Sequence, residues 1–102
     1  MKKRIHVLVA AAVLAVPAIS YSAGISDAEL SATTCFSCHG PEGKNVGGAI
    51  PALAGYPEKV MVEQLKNFKS GQRPSTVMQR HIKGYSDAEI EDLARYFSTL
   101  KP

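Results

Sequence analysis

The chain has 102 residues, enough for one small domain, and its formal net charge is +3 at pH 7. Three of its twelve basic residues lie within the first four positions, and the rest of the chain has nine basic and nine acidic residues. The positive charge is therefore no argument for binding nucleic acid. A core of this size also needs support beyond its own apolar side chains.

The N-terminus has the layout of a secretory signal peptide. Three basic residues come first, an almost entirely apolar run extends to residue 19, and small residues continue to Ala23. A membrane-spanning helix needs about 20 predominantly apolar residues, whereas this run is shorter and contains Pro17. We therefore expect residues 1–23 to be removed on export. Residues 24–102 would remain as one periplasmic domain without a permanent membrane anchor.

The first predicted helix covers residues 25–35. Ser26 is a suitable N-cap because its hydroxyl can accept a hydrogen bond from the first turn, and Glu29 is the third helical residue, as in a capping box. Ile25 and Leu30 have the spacing at which two apolar side chains pack across a helix start. These signals place the start of a helix at Ser26.

Residues 39–57 are predicted to form a loop, because glycines and prolines interrupt any long regular element there. A second helix is predicted over residues 58–69. Met61, Leu65 and Phe68 share one face of that helix and are expected to turn toward the core.

Residues 70–85 are predicted to form a second loop, and the last helix begins at Ser86. Glu89 completes a second capping box, and Glu91 and Arg95 are spaced to form an ion pair on the exposed face. The apolar face of this helix consists of Ile90, Leu93, Ala94 and Phe97. No segment alternates as a strand does, so the sequence predicts an all-α domain.

Residues 35–39 read Cys-Phe-Ser-Cys-His, the spacing at which c-type haem is attached. Two thiols one helical turn apart can form thioethers with the two vinyl groups of one porphyrin, and His39 can then bind the iron. A zinc site would need two further ligands, and a thioredoxin-like redox pair would need a βαβ context. The motif therefore predicts one haem c, covalently bound through Cys35 and Cys38.

The second iron ligand is open between Met78, His81 and no protein ligand, in that order of preference. Met78 is predicted to lie in a loop, where its thioether can be presented to iron and raise the reduction potential. Met61 lies on the apolar face of a helix, where a methionine is expected to pack in the core. His81 could replace Met78 or remain a solvated imidazole. An empty position would favour a ligand-binding haem enzyme.

Together with the haem motif, three later strings resemble class I cytochromes c. They are Ile-Pro-Ala-Leu-Ala-Gly at residues 50–55, Ser-Thr-Val-Met at residues 75–78 and Lys-Gly-Tyr-Ser-Asp at residues 83–87. The pattern is most similar to the cytochrome subunit of flavocytochrome c sulfide dehydrogenase and to domains of cytochrome c4. A two-haem protein would need two Cys-x-x-Cys-His motifs, whereas this sequence has a single such motif, at residues 35–39.

The resemblance implies the small class I cytochrome c fold, in which short helices surround one haem. It implies that Met78 is the distal iron ligand. It also implies that the carbonyl of Pro51 accepts a hydrogen bond from the free ring nitrogen of His39. The first and last helices should cross near one haem edge, with Tyr96 and Phe97 near the contact.

Iron with both axial positions filled can change oxidation state but cannot readily bind substrate, so the sequence predicts an electron carrier rather than an enzyme. The expected partners are periplasmic redox proteins: a terminal oxidase, or a flavoprotein sulfide dehydrogenase of which this chain would be the haem subunit. The resemblance favours a role in sulfur-compound oxidation. Basic side chains in the stretch that flanks Met78 are predicted to attract an acidic partner; they are Lys66, Lys69, Arg73, Arg80 and Lys83.

Overall fold

The computed structural model describes residues 26–45 and 47–102. The described part is helical and contains no strand, so the all-α prediction is confirmed. The proposed signal peptide lies outside the described residues. Four α-helices and one short 3₁₀ turn follow in order: α1 (Asp27–His39), the 3₁₀ turn (Pro41–Gly43), α2 (Glu58–Ser70), α3 (Met78–Ile82) and α4 (Asp87–Thr99).

Serine caps begin both α1 and α4, as predicted. The hydroxyl of Ser26 accepts a hydrogen bond from the Glu29 N–H at 3.1 Å, and that of Ser86 accepts one from the Glu89 N–H at the same distance. In α4 the Glu89 carboxylate also accepts from the Ser86 N–H at 2.7 Å, which completes the capping box. Ile25 lies outside the described residues, so its packing against Leu30 stays a prediction.

Two helix boundaries differ from the prediction. Helix α1 continues four residues beyond Cys35 and ends at His39, because no glycine or proline interrupts it before Gly40. Gly40 has φ 91° and donates its N–H to the carbonyl of Phe36, which ends the helix. The second predicted loop contains the five-residue helix α3, so Met78 is the first residue of a helix rather than a loop residue.

The core lies where α1 and α4 pack against each other and against α2. The four predicted apolar residues of α4 are all buried, together with Ala32 of α1 and Met61 of α2. Phe36 of α1 meets Phe97 of α4 edge to face, with ring centroids 6.2 Å apart. Tyr96 also packs against this cluster. The first and last helices are therefore in contact through the residues that the sequence singled out.

The loop after α1 is fixed to the end of α4. The carbonyl of Gly43 accepts hydrogen bonds from the backbone N–H groups of Leu53 and Ala54 at 2.8 and 3.1 Å. The N–H of Gly55 donates to the carbonyl of Phe97 at 2.9 Å. These bonds hold Leu53 and Ala54 beside Gly43, and they tie the end of the loop to α4.

An ionic seam joins α2 to α4. Lys66 lies 2.8 Å from the Glu91 carboxylate, and Lys69 lies 3.1 Å from that of Asp87. Arg95 pairs with Asp92 at 2.7 Å. The predicted pair between Glu91 and Arg95 is therefore wrong, because Glu91 faces α2 and takes its partner from that helix.

Candidate functional site

His39 is the last residue of α1 and is 8% exposed. Its Nδ1 atom lies 2.6 Å from the carbonyl oxygen of Pro51, the contact that the resemblance implies. Since a carbonyl can only accept, Nδ1 carries the proton and donates it. The other ring nitrogen, Nε2, then has a free lone pair with which to bind a metal.

Cys35 and Cys38 lie on the same face of α1, three residues apart, and both are free thiols. Cys35 is half-buried and Cys38 is exposed. Burial raises the pKa of Cys35 above its ordinary value; the hydroxyl of Thr34 opposes this, and Cys38 adds to it. A nucleophilic cysteine of a redox pair needs a lowered pKa. The Cys35 thiol thus lacks the lowered pKa that marks the nucleophile of a thioredoxin-like pair.

Met78 is half-buried at the start of α3, which packs against α2. His81 is exposed on the same short helix. Met61 is buried in the core, as predicted. The structure thus brings four of the candidate residues together on α1 and the loop that follows it, namely Cys35, Cys38, His39 and Pro51. It places Met78 on a separate element, held by α2.

Two exposed apolar side chains are neighbours in sequence of Pro51, which contacts His39, and of Met78, the candidate second iron ligand. Ile50 precedes Pro51 and is 44% exposed, and Val77 precedes Met78 and is 53% exposed. Large aliphatic side chains left in water at these positions are the kind of surface that an apolar macrocycle covers. Neither residue was predicted to belong to the site, although their places beside Pro51 and Met78 were a usable signal.

The residues present therefore fit a haem. They supply two free thiols at the attachment spacing, a buried imidazole whose tautomer is fixed, and exposed apolar side chains at the residues before Pro51 and Met78. Within residues 26–45 and 47–102, no cluster of three or more His, Cys, Asp or Glu side chains could hold a metal ion by itself.

The five predicted basic side chains fall into three groups. Lys66 and Lys69 are engaged by acids of α4 in the ionic seam. The guanidinium of Arg73 lies over the ring of Phe68. Arg80 and Lys83 are exposed, and neither forms an ion pair with another described residue. They are the free positive charges next to Met78.

Every helix in the described part of the chain is too short or too polar to cross a membrane.

The family model for cytochrome c matches residues 28–101, which is most of the chain. The match contains the haem motif, the loop with Pro51, and α2 to α4.

Three relatives illustrate the similarity. The cytochrome subunit of sulfide dehydrogenase from Chlorobaculum tepidum is 41% identical over 75 residues, covering 74% of this chain and 67% of the relative. The thiosulfate dehydrogenase electron acceptor from Thiomonas intermedia is 42% identical over 72 residues, covering 70% and 33%. Cytochrome c4 from Azotobacter vinelandii is 30% identical over 99 residues, covering 87% and 47%. The matched region thus spans less than half of the last two proteins.

The matched family and the geometry of α1 agree on the cofactor. One Cys-x-x-Cys-His motif provides attachment for a single haem. The chain therefore belongs to the cytochrome c family of electron-transfer proteins and carries one haem c, covalently bound through Cys35 and Cys38.

Proposed function

We propose that residues 24–102, after removal of the signal peptide 1–23, act in the periplasm as a one-electron carrier with His39 and Met78 as axial iron ligands. The observation that supports this most is the contact of 2.6 Å between His39 Nδ1 and the Pro51 carbonyl. It leaves Nε2 as the ring atom able to bind iron. The haem supplies one-electron chemistry when bound.

The residues of the chain orient and tune this site. Donation from His39 Nδ1–H to Pro51 fixes the plane of the imidazole and makes Nε2 a better electron donor. The thioether of Met78 is a soft, neutral ligand that raises the reduction potential. Burial of His39 keeps water from competing for the ring. If His39 and Met78 both bind the iron, the protein would leave no position on it for a substrate, so we infer a carrier and not an enzyme.

Replacing Met78 tests the ligation. In Met78→Ala we expect loss of the sulfur-to-iron charge-transfer absorption of the ferric protein and binding of added imidazole. The reduction potential should fall by about 0.1 V or more, within the roughly 0.8 V that axial ligands span. Met61→Leu is the control, because Met61 packs in the core and its replacement should leave the absorption unchanged.

An unchanged potential and spectrum in Met78→Ala would show that Met78 is not the ligand. The same measurements on His81→Ala would then decide between bis-histidine ligation and an open site. If the low-spin spectrum is lost in His81→Ala but kept in Met78→Ala, His81 is the second iron ligand.

We propose that the carrier serves the oxidation of sulfur compounds. The support is similarity over most of the chain to proteins whose names place them with sulfide dehydrogenase and thiosulfate dehydrogenase. A freely diffusing carrier, which would deliver electrons to a terminal oxidase or another periplasmic redox protein, is the first form of this proposal. The second form is a haem subunit held by a flavoprotein sulfide dehydrogenase.

The partner surface that we propose is centred on α3. Arg80 and Lys83 are its free cations, since Lys66 and Lys69 are neutralised by α4. Free charges steer an acidic protein during diffusion, and the effect weakens as salt screens them. Val77, exposed beside them, adds apolar contact area. This proposed partner surface has fewer basic side chains than the five that the sequence predicted.

A further inference from the structure

Met78 begins a helix that cannot hold its own position. Helix α3 has five residues, and isolated helices of this length are unstable in water. Its N-cap, Val77, makes no side-chain capping bond. The place of the Met78 side chain must therefore be set by the segment that leads into α3 and by the neighbour against which α3 packs.

That segment, residues 71–77, is tied to the last two turns of α2 by Arg73. The backbone N–H of Arg73 donates to the carbonyl of Asn67 at 3.0 Å. Its guanidinium carbon lies 4.7 Å from the centroid of the Phe68 ring, close enough for a cation–π interaction. Nη1 of the same guanidinium donates to Oε1 of Gln64. We call Gln64, Phe68 and Arg73 the arginine clasp.

Two more contacts continue the connection from the clasp to α3. The hydroxyl of Ser75 accepts a hydrogen bond from the backbone N–H of Gln79 at 2.8 Å, which satisfies a free donor at the start of α3. The side chain of Gln79 lies against Gly71, where an added Cβ would be 3.2 Å from its Nε2. Both ends of residues 71–77 are thus fixed, and Met78 follows directly.

We propose that Arg73 is a positioning residue for Met78: the clasp holds the segment before α3 and thereby keeps the thioether at the iron. The proposal rests on the ligation proposed above. Arg73 acts on Met78 only through the backbone and α3. Through Arg73, the position of the short helix α3 depends on α2, a longer helix that is anchored in the core by Met61. A weaker clasp would allow Met78 to leave the iron more often.

Imidazole binding to the ferric protein measures this directly, because imidazole enters when Met78 has left. For Arg73→Ala we expect the binding constant of imidazole to rise about tenfold, the combined effect of losing one cation–π contact and one hydrogen bond. Arg73→Lys keeps the charge but not the planar fork, and should lie between Arg73→Ala and the wild type. Lys59→Ala on the exposed face of α2 is the control for loss of one positive charge.

The outcomes are distinct. A rise in Arg73→Ala, partly reversed in Arg73→Lys and absent in Lys59→Ala, supports the proposal. Equal binding in Arg73→Ala and the wild type overturns it, as does an equal rise in Lys59→Ala. If Arg73→Ala does not fold, Gln64→Leu removes only the acceptor and must still raise imidazole binding, or the proposal fails. Met78→Ala, measured in parallel, shows separately whether the ligation itself is correct.

Discussion

At the scale of single residues, Gly43 lies in close contact with side chains of the core. Its φ is +72°, and a Cβ there would lie 2.9 Å from Cε1 of Phe97 and 3.1 Å from Cβ of Leu53. A side chain at this position would therefore meet both backbone strain and steric conflict with the core. Gly47 also has a positive φ, +112°, but open space around it.

This pair gives a prediction about stability. Gly43→Ala should lower the free energy of unfolding of the haem protein by about 2 to 4 kcal/mol, because strain and overpacking add. Gly47→Ala should lower it by about 1 to 2 kcal/mol, from strain alone. Denaturant unfolding followed by helical circular dichroism measures both. Equal losses in the two variants would show that Phe97 and Leu53 give way at no cost.

The residue scale also shows what a sequence can specify. The motif at residues 35–39 carries its chemistry in its spacing, so the two haem-binding thiols and the proposed iron ligand His39 could be named from the order of the residues alone. The partner of Glu91 could not, because spacing along one helix says nothing about a lysine on another. For the same reason Arg73 was grouped with the other cations, although its guanidinium lies over the ring of Phe68.

At the scale of helices, α1 and α4 begin with the same Ser-Asp-Ala-Glu string but use it differently. In α4 the backbone N–H of Ser86 donates to the Glu89 carboxylate, and this bond lowers the pKa of Glu89 below its ordinary value. A hydrogen bond from Lys69 likewise lowers the pKa of Asp87. In α1 the described contacts give Ser26 its bond from the Glu29 N–H but no return bond to the Glu29 side chain.

The lowered pKa values predict how α4 responds to acid. A carboxyl whose pKa is lower in the folded state stabilises the fold above the unfolded pKa, about 4.3 for glutamate, and loses this as the pH falls through the folded pKa. Glu89→Gln should therefore flatten the decline in stability below about pH 4.3. Denaturant midpoints measured from pH 7 to acid decide this.

The cap itself is tested by Ser86→Ala, which should cost about 1 kcal/mol at pH 7. Loss of the hydroxyl removes the acceptor for the Glu89 N–H, and the same measurement of unfolding detects it. A variant as stable as the wild type would mean that water replaces the hydroxyl at this helix end.

Helix boundaries were predictable where a side chain or a glycine marks them. Helices α1 and α4 begin after the serine N-caps Ser26 and Ser86, and α2 ends at its C-cap Gly71, as the capping preferences of serine and glycine predict. The far end of α1 was not predicted, because the motif was interpreted by its spacing and not as a continuation of the helix. Helix α3 was missed because five residues are too few to show a period of 3.6, and its position depends on contacts with α2.

At the scale of the whole molecule, the described core is small, with eight buried apolar side chains. Two of the largest exposed ones, Ile50 and Val77, lie beside Pro51 and Met78. The sequence predicted that the small core needs support beyond its own apolar side chains, but it did not predict which side chains would contact a haem. That depends on how the loop is folded back onto α4 through Gly43 and Gly55.

The size of the native particle distinguishes the two forms of the proposed function. We expect the native haem protein from its source to elute in gel filtration as a single small domain, without flavin absorbance. A stable subunit would need a large permanent interface, commonly more than about 2,000 Å². Elution of haem together with flavin at a higher mass would contradict the free carrier and support the dehydrogenase subunit.

The ionic seam also fixes how far α4 can slide along α2. Lys66 meets Glu91 and Lys69 meets Asp87, so the two helices run in opposite directions with one alignment of charges. A slip of one turn, about 5.4 Å, in one direction would bring Lys66 level with Arg95. A slip in the other would carry Lys69 past the first residue of α4. Each misaligned register thus loses an attraction or gains a repulsion, and the seam adds to the preference for the observed register.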